Sequence, residues 1–294
     1  MKRYCYTYLA IIFLAMTQLP LAWAQGYHHQ PIAAELFKAM QAGNTFNKHA
    51  PVPKERLRLL TVQYIDFAGD TQTGELVVLD ACADKVLVLF KALYEQGFPI
   101  AKMRLMHHYQ GDDVQATTDN NTSCYNCRVI AGSSVLSLHA YGAAIDINPV
   151  QNPYVRINED QGTALYEPTA GIQYANRRLA RLGKDYRKGM AEAVVDIFAR
   201  HGFYWWGGDW DTPMDYQHFQ LSRSMTKLYV AMPPQIAKET FHKATDYFNK
   251  HQKPIEQVLS QQLAKAFSKK CALVAYYQED PERFNAVLSK LTKG

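Results

Sequence analysis

The ten residues Ser137-Leu138-His139-Ala140-Tyr141-Gly142-Ala143-Ala144-Ile145-Asp146 set one imidazole and one carboxylate seven positions apart, on either side of a glycine. An extended half, a glycine and a second apolar half predict two short strands around a turn over Val135 to Asn148, which aims both side chains at one point. Downstream, Asp215-Tyr216-Gln217-His218 supplies a second imidazole with a carboxylate three positions before it. Two histidines and one carboxylate are the protein ligand set of a catalytic zinc, whose fourth position stays open for water. With His218 as a ligand, Asp215 is placed as the general base that takes a proton from that water.

Working outward, Leu60, Val62 and Tyr64 alternate with polar residues, and a second apolar run covers Leu76 to Leu79. The Gly69-to-Gly74 segment between them reads as the turn of a β-hairpin. A helix follows from Asp80 or Ala81 to Gly97, with Val86, Leu89, Phe90, Leu93 and Tyr94 as its apolar stripe. Another helix is expected over Ala33 to Ala42, and strands over Pro99 to Met106 and Tyr216 to Leu221. Gly111 to Cys127 reads as a polar loop, the stretch from Asn152 to Ala175 as irregular, and Met190 to Arg200 as a helix closed by Gly202. Past Pro233-Pro234 the pattern turns helical and lysine-rich. The expected fold is α+β, with a small antiparallel sheet carrying the metal site, flanking helices and a C-terminal helical appendage over residues 231–294.

The chain has 294 residues, 48% hydrophobic and 20% charged, an ordinary globular composition that excludes disordered, collagen-like and small disulfide-knot classes. Residues 1–24 open with Lys2 and Arg3, continue as an apolar run from Leu9 to Met16, and close with Ala22-Trp23-Ala24. This pattern predicts a secretory signal peptide and a periplasmic or secreted main domain over residues 25–230. The apolar run is too short to span a bilayer, so no membrane span is expected after cleavage. Loss of Lys2 and Arg3 lowers the formal charge from +5 to +3. That mild basicity does not point to nucleic acid, which calls for a clustered basic face. Cys82, Cys124, Cys127 and Cys271 remain; they can pair in three ways. Cys124 and Cys127 lack the second ligand pair of a zinc knuckle and are expected to be structural.

The pattern Ser-x-His-x-x-Gly-x-Ala-x-Asp, followed by an acid three residues before a histidine, resembles the zinc D-alanyl-D-alanine carboxypeptidase and L-alanyl-D-glutamate peptidase family. That group includes VanY-like enzymes and shares its metal site with hedgehog-like domains. The resemblance extends from about Arg56 to Ser222 and includes Asn121-Thr-Ser-Cys-Tyr-Asn-Cys-Arg128 and Trp206-Gly-Gly-Asp-Trp210. It implies one zinc ion held by His139, Asp146 and His218, and Asp215 as base and acid where many members carry Glu. It also implies Arg128 on a substrate carboxylate or polarised carbonyl, and Ser137 as a supporting hydrogen-bonding residue. The implied substrate is a peptidoglycan stem peptide, cut by a carboxypeptidase or by an L-Ala-D-Glu endopeptidase.

Two other readings compete. A non-catalytic zinc-stabilised wall-binding module would use the same ligands, but Asp215 argues against it, since a structural site tends to fill its fourth position. A serine peptidase would use Ser224 and Lys227, an S-x-x-K match with only two fixed positions. The remaining histidines read as surface or satisfied core groups. His107 and His108 are expected at a strand end, facing opposite ways.

Overall fold

The computed structural model describes residues 26–293. The leader expected over residues 1–24 lies outside them. Strand β1 (His28–Pro31) and helix α1 (Ala34–Ala42) precede the long hairpin of β2 (Leu57–Ile65) and β3 (Thr71–Leu79). The hairpin pairs in register from Leu57↔Leu79 to Ile65↔Thr71, and β1 adds to the outer edge of β2. Its turn closes because the Asp66 carboxylate accepts from the N–H groups of Ala68 and Asp70. Helix α2 (Ala83–Glu95) buries Val86, Leu89, Phe90 and Leu93, the i, i+3, i+4, i+7 stripe expected of it.

The segment between α2 and the site departs from expectation. Only Lys102–Met103 (β4) pairs as a strand, in parallel with β5 (Asn121–Thr122), and the chain then winds into a 3₁₀ turn over Met106–Tyr109. The stretch Gly111 to Cys127 is not a loop throughout. It contains helix α3 (Asp113–Thr118), started by Asp112, whose carboxylate accepts from Val114 N and Gln115 N. A six-residue helix is too short to show an apolar period, so its only sequence signal is that cap. The first half of the Ser137–Asp146 motif is likewise not a strand. Leu138–Tyr141 form a 3₁₀ turn that Gly142 ends in the left-handed region, and only Ala144–Asp146 (β6) extends.

The stretch expected to be irregular holds a second hairpin, β7 (Tyr154–Asn158) and β8 (Thr163–Glu167), whose polar, half-exposed strands leave little alternation to read. Helix α4 covers only Val195–Arg200, with a separate 3₁₀ turn over Ala191–Ala193 before it. Then come β9 (Trp205–Trp206), β10 (Met214–Asp215) and β11 (His218–Gln220). The antiparallel sheet β6-β11-β9 forms the floor of the site, and β10 extends the β7–β8 hairpin.

The helical character expected at the C-terminal end is present as α5 (Arg223–Ala231), α6 (Pro234–His251), α7 (Glu256–Phe267), α8 (Leu273–Glu279) and α9 (Pro281–Lys293). One continuous apolar cluster joins Phe241, Leu259, Tyr276 and Phe284 of these helices to Leu57, Leu79, Phe198 and Phe219. Arg56, buried just before β2, ties the two regions. It donates to both oxygens of Asp80 and to the carbonyls of Tyr229, Val230 and Met232 at the end of α5.

Candidate metal centre

Two elements bring the motif residues together. In the β6–β11 ladder His218 lies directly across from Asp146. Directly opposed residues of an antiparallel pair share a face, so both side chains leave the sheet on one side. His139 arrives from the 3₁₀ turn, whose start is fixed by Ser137: its hydroxyl accepts from the His139 N–H, and its own N–H donates to the Arg128 carbonyl. Gly142 then turns the chain back with φ +66°. An L side chain there would meet the backbone of β3, with its Cβ 2.6 Å from Leu79 N.

The ligand atoms of His139, Asp146 and His218 all lie within 4.8 Å of one another, and all three residues are buried. His139 Nε2 is 3.1 Å from Asp146 Oδ2 and 3.3 Å from His218 Nδ1, and His218 Nδ1 is 2.9 Å from Asp146 Oδ1. The outer nitrogens are engaged. His139 Nδ1–H donates to the Cys124 carbonyl at 2.5 Å, and His218 Nε2–H donates to Gln220 Oε1 at 2.9 Å. These partners fix the tautomers, so the inner nitrogens and the carboxylate present three acceptors to one point with no donor among them. Such a cluster needs a cation or a proton. Two neutral imidazoles and a carboxylate, each imidazole oriented by an outer oxygen, are a donor set suited to zinc.

The electrostatics agree. Burial alone would raise Asp146, yet the neighbouring imidazoles of His139 and His218 hold its carboxyl well below the usual carboxylate range. Burial works against protonated His218, but Asp146, with help from Asp215, lifts it to about 9 in the metal-free chain. The proton therefore takes the place a metal ion would occupy.

Asp215 sits on β10, paired with Tyr154, and its Oδ1 is buried without a hydrogen-bond partner. Burial raises its carboxyl to about 6; the charge of Asp146 adds to this, while the imidazoles and a hydrogen bond from the Gln217 side chain oppose it. Gly207 makes room for it, since a Cβ there would stand 2.4 Å from the Asp215 carbonyl oxygen and 2.9 Å from its Cβ. The ring of Trp210 lies 5.5 Å from that of His218, while Trp206 packs on Phe219 and donates to the Tyr216 carbonyl. Trp210 is thus the ring beside the metal ligands, while Tyr204 is half-buried and stacked on Phe248.

Arg128 is half-buried and ion-paired with Asp113 at the start of α3. Asp113 also accepts from Asn126 Nδ2 at 2.9 Å, and Asn126 N donates to the His139 carbonyl. Sequence reading missed Asp113 and Gln220. Gln220 shares His218's face two positions along the strand, a signal available once β11 is recognised. Asp113 lay in the segment read as a loop.

Ser224 and Lys227 are exposed on α5, and Ser224 Oγ pairs with Ser222 Oγ at 2.9 Å, so no base stands against this serine. His107 and His108 lie on a 3₁₀ turn, not a strand, and their rings are 4.1 Å apart. Among the described residues the cysteines are free thiols, Cys82, Cys124 and Cys127 buried and Cys271 exposed.

Residues 131–221 match the family model of D-alanyl-D-alanine carboxypeptidase. The matched segment begins just after Arg128 and contains all three metal-ligand candidates and Asp215, so the carboxypeptidase likeness rests on the centre itself. No curated protein and no solved structure matches the chain. Among the described residues no helix is long and apolar enough to cross a membrane.

Proposed function

We propose that this chain is a secreted zinc peptidase that hydrolyses an amide bond of peptidoglycan stem peptides. The observation that carries the reading is the convergence of three acceptor groups, His139 Nε2, His218 Nδ1 and the Asp146 carboxylate, beside the unpartnered buried oxygen of Asp215. Zinc held by His139, Asp146 and His218 would supply Lewis acidity, lowering the pKa of water and polarising the scissile carbonyl.

The remaining work falls to the chain's own residues. Asp215 Oδ1, free of any hydrogen bond, accepts the proton of the attacking water and returns it to the leaving amine. Cys124 O and Gln220 Oε1 hold the imidazoles with their lone pairs inward. Ser137 fixes the turn that carries His139. Arg128, with its Nε engaged by Asp113, would present its terminal nitrogens to a substrate carboxylate.

A wall-binding module without turnover would bind zinc equally well, but it has no use for a buried carboxylate oxygen, Asp215 Oδ1, left without a hydrogen bond, which costs free energy to maintain. Incubation of the purified protein with muropeptides, with chelator and after zinc is restored, tests the reading. Zinc-dependent release of D-Ala or of a stem fragment is expected. Zinc binding with no cleavage would favour the binding module.

A further inference from the structure

The segment Arg177 to Lys188 carries six cationic side chains, Arg177, Arg178, Arg181, Lys184, Arg187 and Lys188, against the single carboxylate of Asp185. Nothing in the metal chemistry uses them. Arg177 is spent on structure: it pairs with Glu192, donates to Gln151 O and lies over the Tyr216 ring. Among the described residues no ion pair engages Arg178, Arg181, Lys184 or Lys188, and Arg181 Nε is buried without a partner. At the far end, the Gly189 carbonyl accepts from the side chains of Asn148 and Asn152. Both ends of the basic segment are thus pinned to the body of the protein.

Its tip is a tight turn in which Arg181 bridges Lys184 and Gly183 takes a positive φ. That turn holds Leu182 fully exposed between two cations. Tyr186, Phe67 and Ile157 are exposed as well. An open cleft of about 330 Å³ lined by Phe67, Tyr186 and Arg181 meets, at Tyr174, a second of about 230 Å³ lined by Ile157 and Met214. Met214 and Asp215 are adjacent on a strand and therefore point to opposite sides of the β10–β7–β8 sheet. The cleft at Met214 therefore opens on the side of that sheet away from Asp215.

We infer that this face docks peripherally on an anionic lipid bilayer. Cations alone would suit any polyanion, but a leucine held fully in water at the tip gains only where it leaves water, and cations flanking apolar side chains are the pattern of interfacial binding. A surface carrying anionic headgroups over hydrocarbon satisfies both halves at once. This inference does not depend on the peptidase reading.

The test is co-sedimentation of the purified protein with vesicles of phosphatidylglycerol and phosphatidylcholine in equal parts, and with phosphatidylcholine alone. Each variant is compared with the unaltered chain, so that any contribution of residues 1–24 cancels. Binding should be stronger on the phosphatidylglycerol vesicles and fall with added salt. Arg181→Ser and Lys184→Ser should each weaken it about fivefold. Leu182→Ser, which removes no charge, should weaken it roughly tenfold while leaving retention on soluble polyphosphate unchanged. Equal binding to both vesicle types, or a Leu182→Ser protein that binds vesicles as the unaltered chain does, overturns the inference. In the second case retention on polyphosphate would reassign the face to a polyanion. Leu182 touches nothing in the fold, so loss of structure does not confuse the result.

Discussion

Replacing Gly142 by alanine tests how the turn between His139 and Asp146 is built. The residue has φ +66°, and its ideal Cβ lies 2.6 Å from Leu79 N, 2.9 Å from Val78 C and 3.0 Å from Val78 Cα. All three are backbone atoms of β3, which is paired along its whole length with β2 and cannot give way as a side chain would. The turn cannot easily retreat either, because the Gly142 carbonyl accepts from Leu79 N–H at 3.0 Å. A left-handed conformation costs a non-glycine residue about 1–2 kcal/mol, and forcing a methyl into a packed site about 1–3 kcal/mol more. Gly142→Ala should therefore lose roughly 2–5 kcal/mol, a large part of a typical domain's stability.

Gly132 supplies the control. Its φ is +75° but nothing lies within 4 Å of its ideal Cβ, so Gly132→Ala should cost only about 1–2 kcal/mol. Urea titration of both metal-free variants reads the difference. Zinc titration reads its consequence: relief of the clash separates the turn from β3 and shifts His139 against Asp146, so zinc should bind more weakly to Gly142→Ala than to Gly132→Ala. A Gly142→Ala protein within about 0.5 kcal/mol of the parent would refute the packing account.

Asp215→Asn should keep zinc and lose roughly 10²- to 10⁴-fold in turnover, since the amide cannot take up a proton; metal analysis beside muropeptide kinetics checks this, and loss of zinc would make Asp215 a structural group. Arg128→Lys should lower kcat/KM more for peptides with a free C-terminus than for amidated ones, because the second parallel hydrogen bond is lost; equal losses would move Arg128 to the scissile carbonyl or the scaffold. Arg56→Ala should cost about 3–5 kcal/mol in urea denaturation by leaving Asp80 buried without its partner, and a loss below 1 kcal/mol would mean water replaces the guanidinium. In the metal-free protein His218 is lifted from 6.5 to about 9, so its stabilising contribution is complete below pH 6.5 and is lost as pH rises through 9. Asp215, raised from 3.8 to about 6, favours the folded state while protonated and acts in the same direction between pH 4 and 6. Zinc displaces the His218 proton, so zinc affinity should instead rise with pH; denaturation midpoints and zinc titrations across pH 5 to 9 would show the two trends, and parallel trends would be incompatible with a shared site.

Much of the centre was legible in the chain itself. The residue types and spacing of His139, Gly142, Asp146 and His218 point to a metal-ligand set, and in the fold His139, Asp146 and His218 do come together as a group that can hold a metal ion. The β2–β3 hairpin and α2 were legible because both are long and half-buried, so burial writes a clean period of two or of 3.6 into the sequence. Helix α3, the β7–β8 hairpin and the 3₁₀ turn under His139 left no such mark: each is too short or too exposed for a period to accumulate.

What the fold alone decided is which atoms face one another. The register of β6 against β11 sets His218 across from Asp146, and strand pairing between segments some 70 residues apart is a tertiary event that neither segment specifies locally. The same pairing places Gln220 behind His218, and the helix at Asp113 places a carboxylate beside Arg128. A sequence lists donors and acceptors. Only the packed chain shows that three acceptors converge on one point, where a proton on His218 or a cation must stand between them.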